Sequence, residues 1–153
     1  MLQGREGERF MSNKLGIDFP MFEQLRKKLE SIEGQALDKA VDKALKESNA
    51  YIASQLETAM QPHNKTGKTE SALLKNTEVL KTGTEYSANT GFKISAGGLP
   101  SIFLMYGTKV HGQPHVKPDR KLYNALYGPA TKKKIQEIQA NAFFETIDEV
   151  MKK

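Results

Sequence analysis

A chain of 153 residues with net charge +5, no cysteine, no tryptophan and 38% hydrophobic residues has the length of one domain. The missing cysteine excludes disulfides and thiolate zinc sites, and no apolar run reaches the roughly 18–20 residues that a membrane-spanning helix requires. The charge excess, 23 Lys+Arg against 18 Asp+Glu, is mostly lysine dispersed along helices and selects no partner by itself.

Residues 1–17 read as a disordered extension and 18–151 as a single domain. Met1–Phe10 is charged and has no apolar stretch of the secretory kind. Glu6-Gly7-Glu8 can be encoded by a purine-rich ribosome-binding stretch, which makes Met11 the expected start. Asp18 as a cap, Pro20 in a first turn, and Phe22, Leu25, Leu29 and Ile32 at three- and four-residue steps predict a helix. Gly34 interrupts it. A longer helix follows from Gln35 to about Met60, with Leu37, Ala40, Val41, Ala44, Leu45, Ser48, Ile52 and Leu56 on one side.

Gln61–Gly67 has loop composition, and a helical turn is expected over Thr69–Leu74. Asn76–Leu80 reads as a strand turned by Lys81-Thr82-Gly83. From Glu85 to Ala96 apolar and polar residues alternate, the period of a sheet with one wet face; a hairpin turning at Asn89-Thr90-Gly91 is the alternative. Ser101–Tyr106 is a buried strand or a turn of helix by pattern, and it is assigned to the sheet. Gly107–Pro118, with two glycines and two prolines, reads as an exposed loop that orders on assembly. A short helix is expected over Asp119–Tyr127 and a last one, capped by Thr131, to about Met151. On the last helix Ile135, Ile138, Ala142, Phe143, Thr146 and Val150 form one broad face, whereas Phe144 and Met151 project to the other side. The expected fold is α+β: a small antiparallel sheet flanked by a long N-terminal helix and a C-terminal helix.

Chemistry is sparse. His111 and His115 are four residues apart, but Gly112 and Pro114 between them prevent the helix that would aim both imidazoles at one metal. Gly97-Gly98 lacks the Lys-Ser/Thr of a phosphate loop. Ser71, His63 and Asp119 form a triad only by selecting them. No catalytic residue, metal or cofactor is expected. Lys132-Lys133-Lys134 begins the last helix, where cations oppose the helix dipole, so an acidic partner or phosphate would offset that cost.

Pro62…Thr66-Gly67, Tyr106-Gly107-Thr108 and Pro114…Lys117-Pro118, with Ala125 downstream, occur in an order that resembles the phage head–tail joining family of neck, tail-completion and minor tail proteins. The resemblance runs from about Asp18 to Val150. The chain departs from the family pattern at Met105, often acidic there, at Thr69, often apolar, and at Asp119, commonly aromatic. The resemblance implies a non-catalytic protein of the virion neck, assembled in the host cytoplasm. Copies form a ring, commonly of six, between the capsid connector and the tail tube or tail terminator, with DNA passing through the lumen. It implies interface roles for Thr66, Gly67, Tyr106, Gly107, Thr108, His111 and His115. Phe144 and Met151 join them from the two-sided helix, and Lys132, Lys133 and Lys134 are candidates to face DNA. A small basic nucleic-acid-binding protein is the alternative, and a prophage enzyme or toxin a third.

Overall fold

The computed structural model describes residues 12–152 apart from 33 and 64. Its elements are β1 (Ser12–Leu15), α1 (Phe22–Ile32), α2 (Ala36–Met60), α3 (Lys68–Ser71), β2 (Leu80–Thr82), β3 (Glu85–Gly91), α4 (Leu99–Tyr106), β4 (Thr108–Val110), β5 (Gln113–Val116), α5 (Arg120–Tyr127) and α6 (Pro129–Met151). Two short 3-10 turns, Gln61–His63 and Ile94–Ala96, follow α2 and β3. The class is α+β, with antiparallel sheets of three and two strands beside long helices.

The centre is α2, whose 25 residues span about 37 Å. Its buried stripe contains Leu37, Ala40, Val41, Ala44, Leu45, Ile52 and Leu56, the face that periodicity predicts, and ends at Met60. Against it α6 runs antiparallel, so Lys39 meets Glu149 at 3.1 Å and Lys43 pairs with Glu145 one turn on. Ala142, Phe143, Thr146 and Ile147 form the buried face of α6. The chain before and within α1 closes this end, with the rings of Phe19 and Phe22 edge-on to Phe143 at 5.6 and 5.5 Å.

The three-stranded sheet has the order β1-β3-β2, all antiparallel. Gly83 and Thr84 link β2 to β3; Gly83 has φ +64°, and glycine in the first position is what a tight hairpin of matching twist requires. Ala88 and Thr90 of β3 are buried, and the strand packs on α2. Tyr86 and Lys81 both donate to Asp38 of α2, the lysine at 3.0 Å, and hold the hairpin to the helix. The tyrosine hydroxyl, then the lysine, lower the Asp38 carboxyl below its ordinary range.

Several expectations are corrected. Ser12–Leu15 is not an extension: it pairs with β3 from Ser12↔Gly91 to Leu15↔Ala88, and Leu15 joins the core. The expectations for Met11 and the residues before it lie outside the described residues. Helix α1 starts at Phe22 rather than Asp18: Phe19 turns into the core and its carbonyl accepts from the Phe22 N–H at 3.1 Å, while the Asp18 N–H donates to the Gln139 side chain at 3.2 Å. The alternating run is strand only to Gly91. Phe92 makes one bridge to Leu73 and is buried, and a 3-10 turn takes the remainder. There is no hairpin at Asn89–Gly91, and β2 comprises Leu80–Thr82 rather than Asn76–Leu80. Ser101–Tyr106 is helical and outside the sheet: Pro100 sits in the first turn of α4 and Ser101 Oγ donates to Gly98 O at 2.6 Å. The Gly107–Pro118 loop is instead a β4–β5 hairpin. Thr131 does not cap α6, which begins at Pro129. The Thr131 hydroxyl is buried and donates to Asn124 O at 2.8 Å, tying α6 to α5.

Candidate functional site

The turn that leaves α2, the end of α4 and the start of α5 meet at one aspartate. His63, in the turn that leaves α2, places Nε2 2.5 Å from Asp119 Oδ2. The other oxygen of Asp119 accepts from the N–H groups of Lys121 and Leu122, at 2.9 and 3.1 Å, and so caps α5. Its own N–H donates to Leu104 O of α4 at 2.7 Å. One aspartate therefore ties α2, α4 and α5 together. Burial raises the Asp119 carboxyl, but hydrogen bonds from His63 and from the Leu122 N–H outweigh it and hold the carboxyl below its ordinary range. Ser71 does not complete a triad: its hydroxyl donates to Gly67 O at 2.7 Å, and the side chain is exposed on α3. Thr66 accepts from the Lys68 N–H at 3.3 Å, and Gly67 is the residue from which α3 starts. Helix α3 in turn packs against α4.

Two faces of α4 differ. Ser101 and Met105 point inward, whereas Leu99, Phe103 and Tyr106, at i, i+4 and i+7, form an exposed apolar stripe. Tyr106 is 55% exposed with its ring edge-on to Tyr123 at 5.7 Å. Beside it Met105, Tyr106, Pro118, Arg120 and Tyr123 line a shallow cleft of ≈ 300 Å³. In the hairpin that follows, Val110 is also exposed, and the chain turns at His111 and Gly112, both with positive φ. His111 and His115 are exposed at the hairpin and do not converge with a third ligand. Among the described residues no group of three or more His, Cys, Asp or Glu could hold a metal.

Gly107 is the hinge between helix and hairpin. Its φ of 77° and ψ of 170° lie in a region essentially reserved for glycine, and a Cβ there would sit 2.7 Å from Val116 O and 2.9 Å from Pro118 Cδ. Gly107→Ala is therefore expected to cost about 1–3 kcal/mol and to displace the hairpin. Urea denaturation and amide exchange over 108–116 read both effects; an unchanged midpoint with unchanged exchange would contradict the assignment.

The other predicted residues lie elsewhere. Phe144 and Met151 are exposed on the outer side of α6, near the end where α6 meets the start of α2. Lys132, Lys133 and Lys134 are all exposed at the opposite end of α6, and Lys134 lies 3.7 Å from Glu137. Lys132 also borders a cleft shared with Lys14, Leu15, Gly16 and Asp18. Sequence reasoning missed the exposed Leu99, Phe103 and Val110, the His63–Asp119 pair and the fully buried Gln139. For the first, Pro100 as a helix opener was the available signal for α4, but the run that follows is apolar on every side and does not say which residues stay exposed. Gln139 Nε2 donates to Gly16 O at 2.7 Å, a contact between residues 123 positions apart that has no local signature.

No helix of the described chain is long and apolar enough to cross a membrane. Compared with protein families, curated proteins and solved structures, the chain matches no family model, no curated protein and no solved structure.

Proposed function

We propose that this protein is a non-catalytic structural component of the neck of a tailed phage or prophage, a ring subunit joining the capsid connector to the tail tube or tail terminator. The observation that carries the reading is that His63, next to Pro62, bonds Asp119, next to Pro118, while Gly107 packs on Pro118 and Tyr106 on Tyr123 beside the exposed apolar stripe of α4. That surface is built for contact: its polar residues tie elements together, and its apolar ones face outward. The virion neck is its place of action and the host cytoplasm its place of assembly. DNA passes through the ring without sequence readout.

Deleting the gene from the phage or prophage that encodes it tests this. Electron microscopy of the lysate is expected to show DNA-filled heads and finished tails that do not join; normal joined particles would overturn the reading. A small nucleic-acid-binding protein is the second reading, favoured by the exposed Lys132-Lys133-Lys134 cluster. A neck subunit should bind random-sequence DNA weakly at about 0.15 M salt. Tight binding that falls steeply with added salt would favour the second reading.

A further inference from the structure

A second exposed stripe runs along α6. Glu137, Asn141, Phe144, Asp148 and Met151 follow one another at steps of four and three residues, and all five are exposed. This is the spacing with which one helix seats against another. Inside the molecule α6 already covers α2 with its other side, through Ala142, Phe143, Thr146 and Ile147, so nothing in the described chain covers Phe144.

The charges on the two stripes are opposite. Between Glu85 and Asp119 the sequence has no carboxylate, and the α4–hairpin surface carries Lys109 and Lys117, with Arg120 on the cleft next to Tyr106. From Ile135 to Met151 the sequence has no lysine or arginine. Of its four carboxylates Glu145 and Glu149 pair with Lys43 and Lys39 of α2 and Glu137 lies 3.7 Å from Lys134, while Asp148 stands beside Phe144 on the outer stripe. Pairing α4 with α4 would place cations against cations, and pairing α6 with α6 would place carboxylates against carboxylates. Only the unlike pairing removes both apolar stripes from water with complementary charge.

The two stripes also lie at opposite ends of α2. The α4 surface is tied to the Met60 end through His63 and Asp119, and Phe144 lies next to Glu145, whose partner Lys43 is near the Ala36 end. A copy that uses one stripe keeps the other free, which is the condition for head-to-tail growth and closure.

We propose that the outer stripe of α6 in one copy docks on the α4–hairpin surface of a second copy, with Phe144 entering the cleft beside Tyr106 and Asp148 facing Arg120. This rests on the reading of the chain as a ring subunit and names the two surfaces that meet. Leu99, Phe103 and Val110 supply the remaining apolar contact.

Two variants, each disabling one stripe, test it in solution. Phe103→Glu and Phe144→Glu both replace exposed side chains, so circular dichroism should match that of the wild type. Multi-angle light scattering is expected to show wild-type protein growing in mass with concentration, and each variant alone remaining a monomer. Each should raise the concentration needed for association by about thirtyfold or more, the loss typical of a central aromatic anchor. Mixed in equal amounts, the variants should give a dimer and nothing larger, because the mixture holds one intact pair of surfaces. Wild type that remains monomeric at every concentration, a variant that associates as wild type does, or a mixture that stays monomeric overturns the pairing. If Phe144→Glu loses helical signal, Met151→Glu takes its place in the same mixture with the same outcomes. A failed pairing is separable from a failed neck reading, since the gene deletion then still yields unjoined heads and tails.

Discussion

Replacing Phe143 with alanine should destabilise the monomer by about 3–5 kcal/mol, the range for removing a buried aromatic ring and leaving a cavity. Phe143 is fully buried, and its ring is the common partner of Phe19 and Phe22, so the truncation opens the junction of α1, α2 and α6 at once. The adjacent Phe144, 43% exposed, should lose little when cut to alanine, within about 0.5–1 kcal/mol in the monomer. The contrast between neighbours is the sharper measurement. Urea denaturation of both variants at a concentration where the protein is monomeric reads it directly. Equal losses would mean that the register of α6 is wrong, and with it the outer stripe.

Asp119→Ala should cost about 2–3 kcal/mol. A helix cap contributes about 0.5–2 kcal/mol, and a hydrogen bond to a charged group adds up to about 1.5–3, less for this part-buried pair and with incomplete additivity. The variant should also loosen α4 relative to α5, because residue 119 is where the turn after α2 is held to both. The sign of the pH effect follows from the depressed carboxyl. A carboxyl whose folded pKa lies below the unfolded value stabilises the protein when ionised; that contribution is complete above the unfolded value, near 3.8, and is lost as pH falls through the folded one. Wild type should therefore lose stability on acidification below about pH 4 more steeply than Asp119→Ala does. Asp119→Asn keeps an acceptor for the cap and should fall between the two at neutral pH. Thermal melts from pH 3 to pH 7 compare the three; parallel acid losses in wild type and Asp119→Ala would remove Asp119 from this role.

The long helices are legible in the amino-acid order alone. The buried stripe of α2 is a property of 25 consecutive residues, and its period survives whatever packs on it. The outward projection of Phe144 and Met151 is likewise a consequence of helical geometry, and both are exposed. Asp119 and Tyr127 bracket α5 because a cap acceptor and a Gly-Pro stop act over one or two residues. The α+β class follows from two periodicities in one chain.

Tertiary contacts decided the rest. Ser101–Tyr106 is apolar without a period, so its own residues do not say which side is covered. Packing of α4 on α5 and α3 buries Met105 and leaves Leu99, Phe103 and Tyr106 in water. The 108–116 segment reads as a loop because glycine and proline punctuate it, yet paired strands around the His111-Gly112 turn satisfy its backbone. β1 is four residues long and exists through pairing with residues almost 80 positions away, a contact invisible to local propensity. His63 and Asp119 are 56 residues apart, and neither has a local signal of the other. By itself the sequence determined the periodic elements and their apolar faces, because those depend on near neighbours in the chain. Only the folded molecule decided which apolar face stayed uncovered and which polar groups met, because burial and long-range pairing are properties of the whole chain.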